Sequence, residues 1–363
     1  MLKKLNQKIL FLLLIIVLQF VLVQIGKSSH SFLQLYSTSF YPKYNQSLIQ
    51  FSSRFNFSIG ELFYLIFFIG LISIVLKTIQ FRIYNDRINW RKTFINLLVI
   101  CNVFYFLFNI SWSFNYAKKS FTNDFYLESL SINELKYMAE NELALAKLYR
   151  EKSLEDENGV FKLKLSEQDL EKEIIKNQFS LYGLPFLQSQ YFVELENIKP
   201  SIISEGLSYL GVLGYYNPFT AEANYNQKST QLDRPFTIAH ELAHQIGYAP
   251  ENEANFIAYI IADQSDNDDL KYAAHYKTLM NILRQIIQVD PEFVKNKIDN
   301  FSDKMQRDRE NEIAHAQKYL GLANDAFSNL NDTFLKANNQ EGISSYSKYT
   351  LYVGAYYRWK LRE

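Results

Sequence analysis

The chain has 363 residues, and its 38 Lys and Arg balance 38 Asp and Glu, so its formal net charge is zero. No basic excess is available to neutralise phosphates, which argues against a nucleic-acid partner. The length suffices for a membrane anchor with one sizeable globular domain. The single cysteine, Cys101, excludes an intramolecular disulfide, so the fold must be held by its core and by any bound metal.

Three apolar stretches in the first third of the chain are each near the roughly 17–25 residues that a membrane-spanning helix needs. They cover residues 9–25, 59–76 and 94–112. The first could also be a signal peptide because lysines precede it, but no small-x-small cleavage site follows. We therefore expect residues 1–115 to be an uncleaved anchor of three transmembrane helices in a lipid bilayer.

The distribution of Lys and Arg predicts the orientation of this anchor. Lysines precede the first stretch, and the short segment between the second and third stretches carries Lys77, Arg82, Arg87, Arg91 and Lys92. The longer loop between the first two stretches is poorer in basic residues for its length. We expect a cytoplasmic N-terminus and a domain outside the cytoplasm.

Residues 116–363 read as one mainly α-helical domain with a small β-hairpin or sheet. Apolar residues recur at helical spacing over residues 132–149, and Ser166 is a good N-cap for a second helix. Residues 190–194 are a short strand candidate, and the chain after Ala254 is helical nearly to its end.

A hairpin is predicted over residues 208–226, which are rich in Gly, Tyr and β-formers. One strand runs to Tyr216, a turn follows at Asn217-Pro218, and a second strand runs to about Tyr225. Its exposed edge could bind a peptide substrate by strand addition. The alternative is a structural hairpin whose proline blunts an edge.

The segment around His240 has the HExxH spacing of a metal site. Pro235 is tolerated in a first helical turn and Gly247 suits the position after a helix, so the sequence bounds a helix around the motif. Residues four apart project from one helix face, so His240 and His244 can bind one tetrahedral zinc. Glu241 then points beside the metal, where it can activate a water.

A catalytic zinc needs a third protein ligand. Glu253 is the preferred candidate because it lies in line with the apolar residue Ile257, on what should be the buried face of the next helix. Glu251 is the alternative, in an expected exposed first turn where a carboxylate favours the helix dipole. Both could instead be ordinary surface carboxylates.

A further donor is expected to stabilise the oxyanion of an amide hydrolase. Tyr276 is the preferred candidate, with His275 and Tyr272 as alternatives in the same aromatic segment. For any one of them, packing in the core is the competing interpretation.

Several motifs together resemble a bacterial family of three-span membrane proteins that is catalogued as a domain of unknown function. They are Phe57 to Glu61, Tyr215 to Ala223, Pro235 to Gln245, Glu251 to Phe256, Leu335 to Asn338 and Gly342 to Tyr346. The family is similar to gluzincin peptidases at the HExxH and the downstream glutamate. Glu253-Ala254-Asn255 also looks like the third-ligand region of another zinc-peptidase group. Ala221 departs from the pattern, since a glycine is expected there.

The sequence thus predicts a zinc-dependent metallopeptidase, or a related amide hydrolase, in the bacterial inner membrane. Its zincin-like domain would act on a peptide or protein substrate, with zinc held by His240, His244 and Glu253, and with Glu241 as base. A non-catalytic zinc-containing sensor or scaffold is the alternative. Hydrolysis of a cell-wall peptide crosslink is a third possibility.

Overall fold

The computed structural model describes residues 2–83, 90–118, 127–184, 187 and 198–362. The predicted class, mainly α-helical with a small sheet, is confirmed for these residues. The helices are α1 (Leu2–Ser28), α2 (His30–Leu35), α3 (Tyr41–Ser52), α4 (Ile59–Ile83), α5 (Trp90–Ser111), α6 (Ile132–Lys152), α7 (Glu167–Asn177), α8 (Ser204–Leu210), α9 (Asp233–Ile246), α10 (Glu251–Asp263), α11 (Asp268–Ile286), α12 (Pro291–Asp299), α13 (Asp303–Tyr319), α14 (Leu322–Ala337) and α15 (Tyr349–Lys360). The strands are β1 (Leu154–Glu155), β2 (Phe161–Lys162), β3 (Lys199–Pro200), β4 (Gly214–Asn217) and β5 (Glu222–Tyr225). A π-helical turn covers Tyr36–Phe40, and 3-10 turns cover Ser113–Tyr116, Gln178–Gly183 and Gly342–Tyr346.

The chain divides into two compact units. The first comprises Met1–Lys118 together with Asn217–Glu222, and the second comprises Lys119–Tyr216 and Ala223–Glu363. The sequence placed a single boundary between residues 115 and 116. It gave no sign that the tip of a later hairpin would be counted with the first unit.

Among the described residues of the first unit, two helices are long and apolar enough to cross a membrane, Leu5–Ser28 within α1 and Arg91–Ser111 within α5. The sequence predicted three. The predicted middle span does form α4. Its apolar stretch among the described residues, Ile59–Ile74, is shorter than the predicted span of residues 59–76. In the sequence the apolar residues continue through Leu76, where the predicted span ends, before Lys77.

The hairpin tip is fastened to the N-terminus of α4 within the first unit. The Glu222 carboxylate accepts hydrogen bonds from the backbone N–H of Ile59 at 3.0 Å and of Gly60 at 2.6 Å, and from Ser58 Oγ at 3.2 Å. These N–H groups have no partner inside the helix, and a carboxylate there also suits the helix dipole. Two of the motifs noted in the sequence therefore meet at this point.

The geometry of the tip explains why two small residues, Gly60 and Ala221, occur there. A Cβ on Gly60 would lie 2.0 Å from Nδ2 of Asn217, so only glycine fits there. Ala221 has a positive φ of 53°, the left-handed region that favours glycine. Its backbone therefore has the conformation for which the sequence pattern led us to expect glycine.

The core of the second unit is built on α6, which packs against α11, with α10 packed against α9. A capping box of Ser131 and Glu134 begins α6. Further along α6, the buried Arg150 donates to both carboxylate oxygens of Asp308, from Nε at 2.6 Å and from Nη2 at 3.1 Å. Asp308 also accepts from Tyr272 Oη at 2.6 Å, so the buried charges are hydrogen-bonded as burial requires.

A three-stranded sheet of order β3-β5-β4 lies in the part of the chain that leads to α9. β3 pairs with β5 in parallel, with Lys199 opposite Asn224, while β4 is an edge strand among the described residues. The predicted hairpin is confirmed, but its first residues form α8, which ends at Gly211 with a φ of 71°. The strand candidate at residues 190–194 lies outside the described residues.

Candidate metal centre

The HExxH motif lies on α9, a helix whose last twelve residues, from Pro235 onward, are all buried. Gly247 ends the helix in the left-handed conformation, with a φ of 111°, as its position in the sequence predicted. The histidines therefore project from a rigid element enclosed by protein, which limits the positions that their imidazoles can take.

Three side chains meet at this helix. His240 Nε2 lies 3.2 Å from Glu251 Oε2, and His244 Nε2 lies 3.4 Å from the same oxygen. The three ligand atoms lie within 4.8 Å of one another, and all three residues are buried. The predicted pairing of the two histidines is thus accompanied by a carboxylate from the N-terminus of α10.

A backbone carbonyl orients one of the two imidazoles. His244 Nδ1 lies 2.6 Å from the carbonyl oxygen of Tyr248, which can only accept a hydrogen bond. Nδ1 therefore carries a proton, and Nε2 is the ring nitrogen that faces Glu251. This is the arrangement in which metal-ligating histidines are commonly held.

The charges at the cluster depend strongly on one another. Burial alone would raise the pKa of Glu251, but the neighbouring His244 and His240 lower it to about 2. Burial alone would lower the pKa of His244, but the negative charge of Glu251 raises it to about 9. Glu251 is therefore an ionised carboxylate paired with a protonated His244, and a metal that binds there would replace that proton.

The structure brings Glu251, not the preferred Glu253, to the two histidines, which reverses the order of the two candidates. Residues two apart on a helix differ by about 200° around its axis, so only one of them can face α9. The sequence placed Glu251 in an exposed first turn, but only 8% of it is exposed. Its backbone N–H donates to Oε1 of Gln340 at 3.0 Å, so a distant segment packs over this turn.

The C-terminal part of the chain secures the start of α10 at two further points. Asn252 Nδ2 donates to Tyr352 Oη at 2.9 Å, and Asn255 Nδ2 donates to the carbonyl oxygen of Tyr346 at 3.0 Å. Tyr346 closes the last motif that was noted in the sequence. That motif therefore positions the helix that carries Glu251.

Glu241 lies beside the cluster and is not one of its three ligands. It is buried, and its Oε2 has no hydrogen-bond partner among the described residues. Burial raises the pKa of Glu241 to about 8, and the charge of Glu251 acts in the same direction. A carboxyl group with a raised pKa next to a metal-ligand set is typical of a general base or acid.

The edge strand β4 borders both Glu241 and His244. A Cβ on Gly214 would lie 2.8 Å from Glu241 Oε1, and the Tyr216 ring lies with its centroid 6.5 Å from that of His244. Gly214 was not singled out from the sequence. The only signal was a glycine within the predicted strand that runs to Tyr216, since a glycine in a strand often marks a close approach of another group.

The predicted oxyanion donor Tyr276 is not brought to this cluster, which corrects that assignment. Its ring contacts Tyr272 and Phe301, and it lines a separate cavity that includes none of the cluster residues. The alternatives are also engaged elsewhere, because His275 Nδ1 lies 2.7 Å from Glu142 Oε2 and Tyr272 bonds to Asp308. The sequence of α11 alone did not indicate which of its faces would point toward the metal-ligand residues.

The donor set fits a metal ion. Two imidazole nitrogens and one carboxylate oxygen form a three-ligand set of the type that leaves a position open at catalytic zinc sites. The orphaned Glu241 oxygen next to them supplies a hydrogen-bond acceptor for a group bound at that position. His240, His244 and Glu251 are therefore the residues that could hold a metal.

Comparison with known families gives one match. Residues 36–353 match the family described as "Protein of unknown function (DUF3810)", which covers most of the chain. No curated protein and no solved structure matches the chain. The match includes α4, the hairpin, the HExxH helix and the C-terminal segment around Gln340, and the chain belongs to the DUF3810 family.

Proposed function

We propose that the chain is a membrane-anchored zinc metallopeptidase that hydrolyses peptide or related amide bonds. The observation that carries the proposal is the buried cluster of His240, His244 and Glu251 with the carboxylate of Glu241 beside it. A purely structural zinc site usually fills all four positions with His or Cys, and the only cysteine, Cys101, lies on α5 in the first unit. This composition favours the enzyme over the alternative of a sensor or scaffold.

The cluster residues have distinct roles in this proposal. When bound, zinc would supply Lewis acidity toward the scissile carbonyl. His240, His244 and Glu251 hold it, and the Tyr248 carbonyl fixes the imidazole of His244. Glu241 takes the proton of the attacking water and passes it to the leaving amine, and its raised pKa suits both steps near neutral pH.

The edge strand β4 would align the substrate. An extended peptide can add to an unpaired strand edge through main-chain hydrogen bonds. β4 is at the edge of its sheet among the described residues, and it begins with Gly214 beside Glu241. A peptide bound along it would pass the base, which supports the substrate-binding interpretation of the hairpin over a purely structural one.

For location we propose three membrane spans, a cytoplasmic N-terminus and a catalytic domain outside the cytoplasm of a bacterial cell. The apolar helices of the first unit and the concentration of Lys and Arg between the second and third apolar stretches support this topology. Reporter fusions after residues 28, 84 and 118 test it, since the reporter should be outside, inside and outside, respectively. An inside reporter at residue 118 contradicts the topology.

The proposed activity is tested with full-length protein purified in detergent. The wild type and Glu241→Gln are loaded with zinc, assayed for bound metal, and incubated with a broad peptide library that includes cell-wall crosslink peptides. We expect equal zinc in both proteins and cleavage by the wild type only. Zinc binding without cleavage by either protein would favour the sensor or scaffold alternative.

A further inference from the structure

The cavity that Tyr276 lines lies in the second unit and has a volume of about 420 Å³. Its walls come from the first residue of α9, from α11 and from α13, and from the residues just before β4. The charged side chains that line it are Asp233, Lys277, Arg284, Arg309 and Glu312, with His315 at the same wall. None of the three metal-ligand residues lines it.

Three of these groups, Asp233, Lys277 and His315, already have close partners inside the protein. Lys277 Nζ lies 3.5 Å from Asp233 Oδ1, and Asp233 Oδ2 accepts from Thr230 Oγ1 at 2.8 Å. Burial raises the pKa of Glu312 to about 7, although the nearby charge of Lys277 acts in the opposite direction. His315 Nε2 lies 2.6 Å from the carbonyl oxygen of Lys228. Asp233 and Lys277 therefore pair with each other, and the negative charge of Glu312 is reduced near neutral pH.

Two arginines remain without a carboxylate. Neither Arg284 nor Arg309 forms an ion pair with a described residue, and Arg284 has only a long contact of 3.5 Å to Asn281 Oδ1. The Nε of Arg309 is buried and has no hydrogen-bond partner among the described residues. A buried guanidinium N–H without an acceptor is costly, and a carboxylate that entered the cavity would supply one.

The cavity is placed along the course of the proposed substrate strand. Val212 and Leu213 line the cavity, and the next residue, Gly214, lies beside Glu241. At the other wall, Asp233 begins α9, and His240 follows seven residues later, about 10 Å along the helix axis. An extended peptide covers that distance in about three residues.

We propose that this cavity recognises a carboxylate of the peptide substrate, about three residues from the cleaved bond. The inference rests on the proposed peptidase function and adds a substrate class, peptides with an acidic side chain or a free C-terminal carboxylate. Arg309 and Arg284 bind the carboxylate, with Arg309 as the buried donor. The flanking Val212 and Leu213 contact the residue that carries it.

Binding is measured separately from cleavage in full-length zinc-loaded Glu241→Gln protein. Three fluorescent peptides of equal length are compared by anisotropy: a neutral peptide with both ends blocked, one with a glutamate three residues from its centre, and one with a free C-terminus. We expect at least one carboxylate peptide to bind about tenfold more tightly than the neutral peptide. The carboxylate peptide that binds more tightly shows whether the cavity recognises an acidic side chain or a free C-terminus.

Variants in the same background identify the cavity. Arg309→Gln should abolish the preference for the carboxylate peptide while leaving the Kd of the neutral peptide unchanged. The side chain of Arg284 is exposed. Arg284→Gln should weaken the preference for the carboxylate peptide, and it provides the test if Arg309→Gln does not fold. Lys271→Gln removes one positive charge from α11 outside the cavity and should change nothing.

Equal binding of all three peptides, or a preference that survives both arginine substitutions, would overturn the proposal. A carboxylate preference that disappears in Arg309→Gln supports it even if the wild type cleaves no peptide. In that case the cavity stands as a carboxylate site for a bound peptide, and only the proposed cleavage is contradicted. The two proposals can therefore fail independently.

Discussion

Gly214 and Glu241 approach each other so closely that a Cβ on the glycine would lie 2.8 Å from the Oε1 of the carboxylate. The same Cβ would lie 2.7 Å from Cγ2 of Thr237 and 2.9 Å from the carbonyl oxygen of Asn224. A side chain at position 214 would therefore displace either the edge strand or Glu241. The glycine lets the strand and the proposed base occupy adjacent positions.

Gly214→Ala should lower peptidase activity at least tenfold while bound zinc stays unchanged, because small displacements of a catalytic group cost large factors in rate. The measurement is kcat/KM with metal content determined on the same sample. Gly206→Ala in α8 is the matched control, since its Cβ meets nothing within 4 Å. Full activity in Gly214→Ala would show that the strand does not constrain Glu241.

Gly60→Ala should loosen the hairpin tip, because the new Cβ would lie 2.0 Å from Asn217 Nδ2 and the Glu222 hydrogen bonds would break. Hydrogen exchange measured by mass spectrometry should speed up in peptides that contain residues 217–222. Gly70→Ala on the same helix is the control, since nothing lies within 4 Å of its Cβ. Unchanged protection in Gly60→Ala would mean that the tip is not held there.

Asp308→Asn should destabilise the second unit by about 3 kcal/mol, since it leaves the buried guanidinium of Arg150 with only the more exposed Glu155 as counter-charge. The free energy of unfolding is measured by urea titration. Lys172→Ala, which removes an exposed ion pair to Asp169, should leave it unchanged. A loss below 1 kcal/mol for Asp308→Asn would contradict the account of this pair.

Glu171 should make the stability of the second unit depend on pH. Burial raises its pKa from 4.5 to about 7, although the N–H of Ile198 at 2.6 Å favours the charged form. The folded state therefore binds its proton more tightly than the unfolded state. The resulting stabilisation is complete below about pH 4.5 and is lost as the pH rises through about 7.

The check is the urea midpoint at pH 5 and at pH 7.5 for the wild type and for Glu171→Gln. The midpoint should fall more between the two pH values in the wild type than in the variant. Glu157→Gln, an exposed carboxyl on a turn, is the control and should behave as the wild type. An identical pH dependence in Glu171→Gln would exclude a contribution from Glu171.

The sequence was sufficient where the information is local. The spacing of His240 and His244 places them on one helix face, and Pro235 and Gly247 bound that helix, so both histidines and Glu241 could be identified. The hairpin was also predicted, because a Pro-containing turn between β-forming segments is a local signal.

The choice between Glu251 and Glu253 required information from far along the chain. The first turn of α10 is buried because Gln340 and the C-terminal segment pack over it, and no local pattern contains that contact. The choice of Tyr276 as the oxyanion donor also depended on contacts that the local sequence does not contain. The orientation of α11 is set by its packing against α6, α9 and α10, and no local pattern in the sequence of α11 contains those contacts.

Metal stoichiometry tests the central claim, a metal held by His240, His244 and Glu251. Full-length wild type, Glu251→Gln and Glu253→Gln are purified in detergent, equilibrated with zinc, desalted, and measured by inductively coupled plasma mass spectrometry. We expect about one zinc per chain in the wild type and in Glu253→Gln, and a large loss in Glu251→Gln. A wild type without zinc, or a loss confined to Glu253→Gln, would contradict this account.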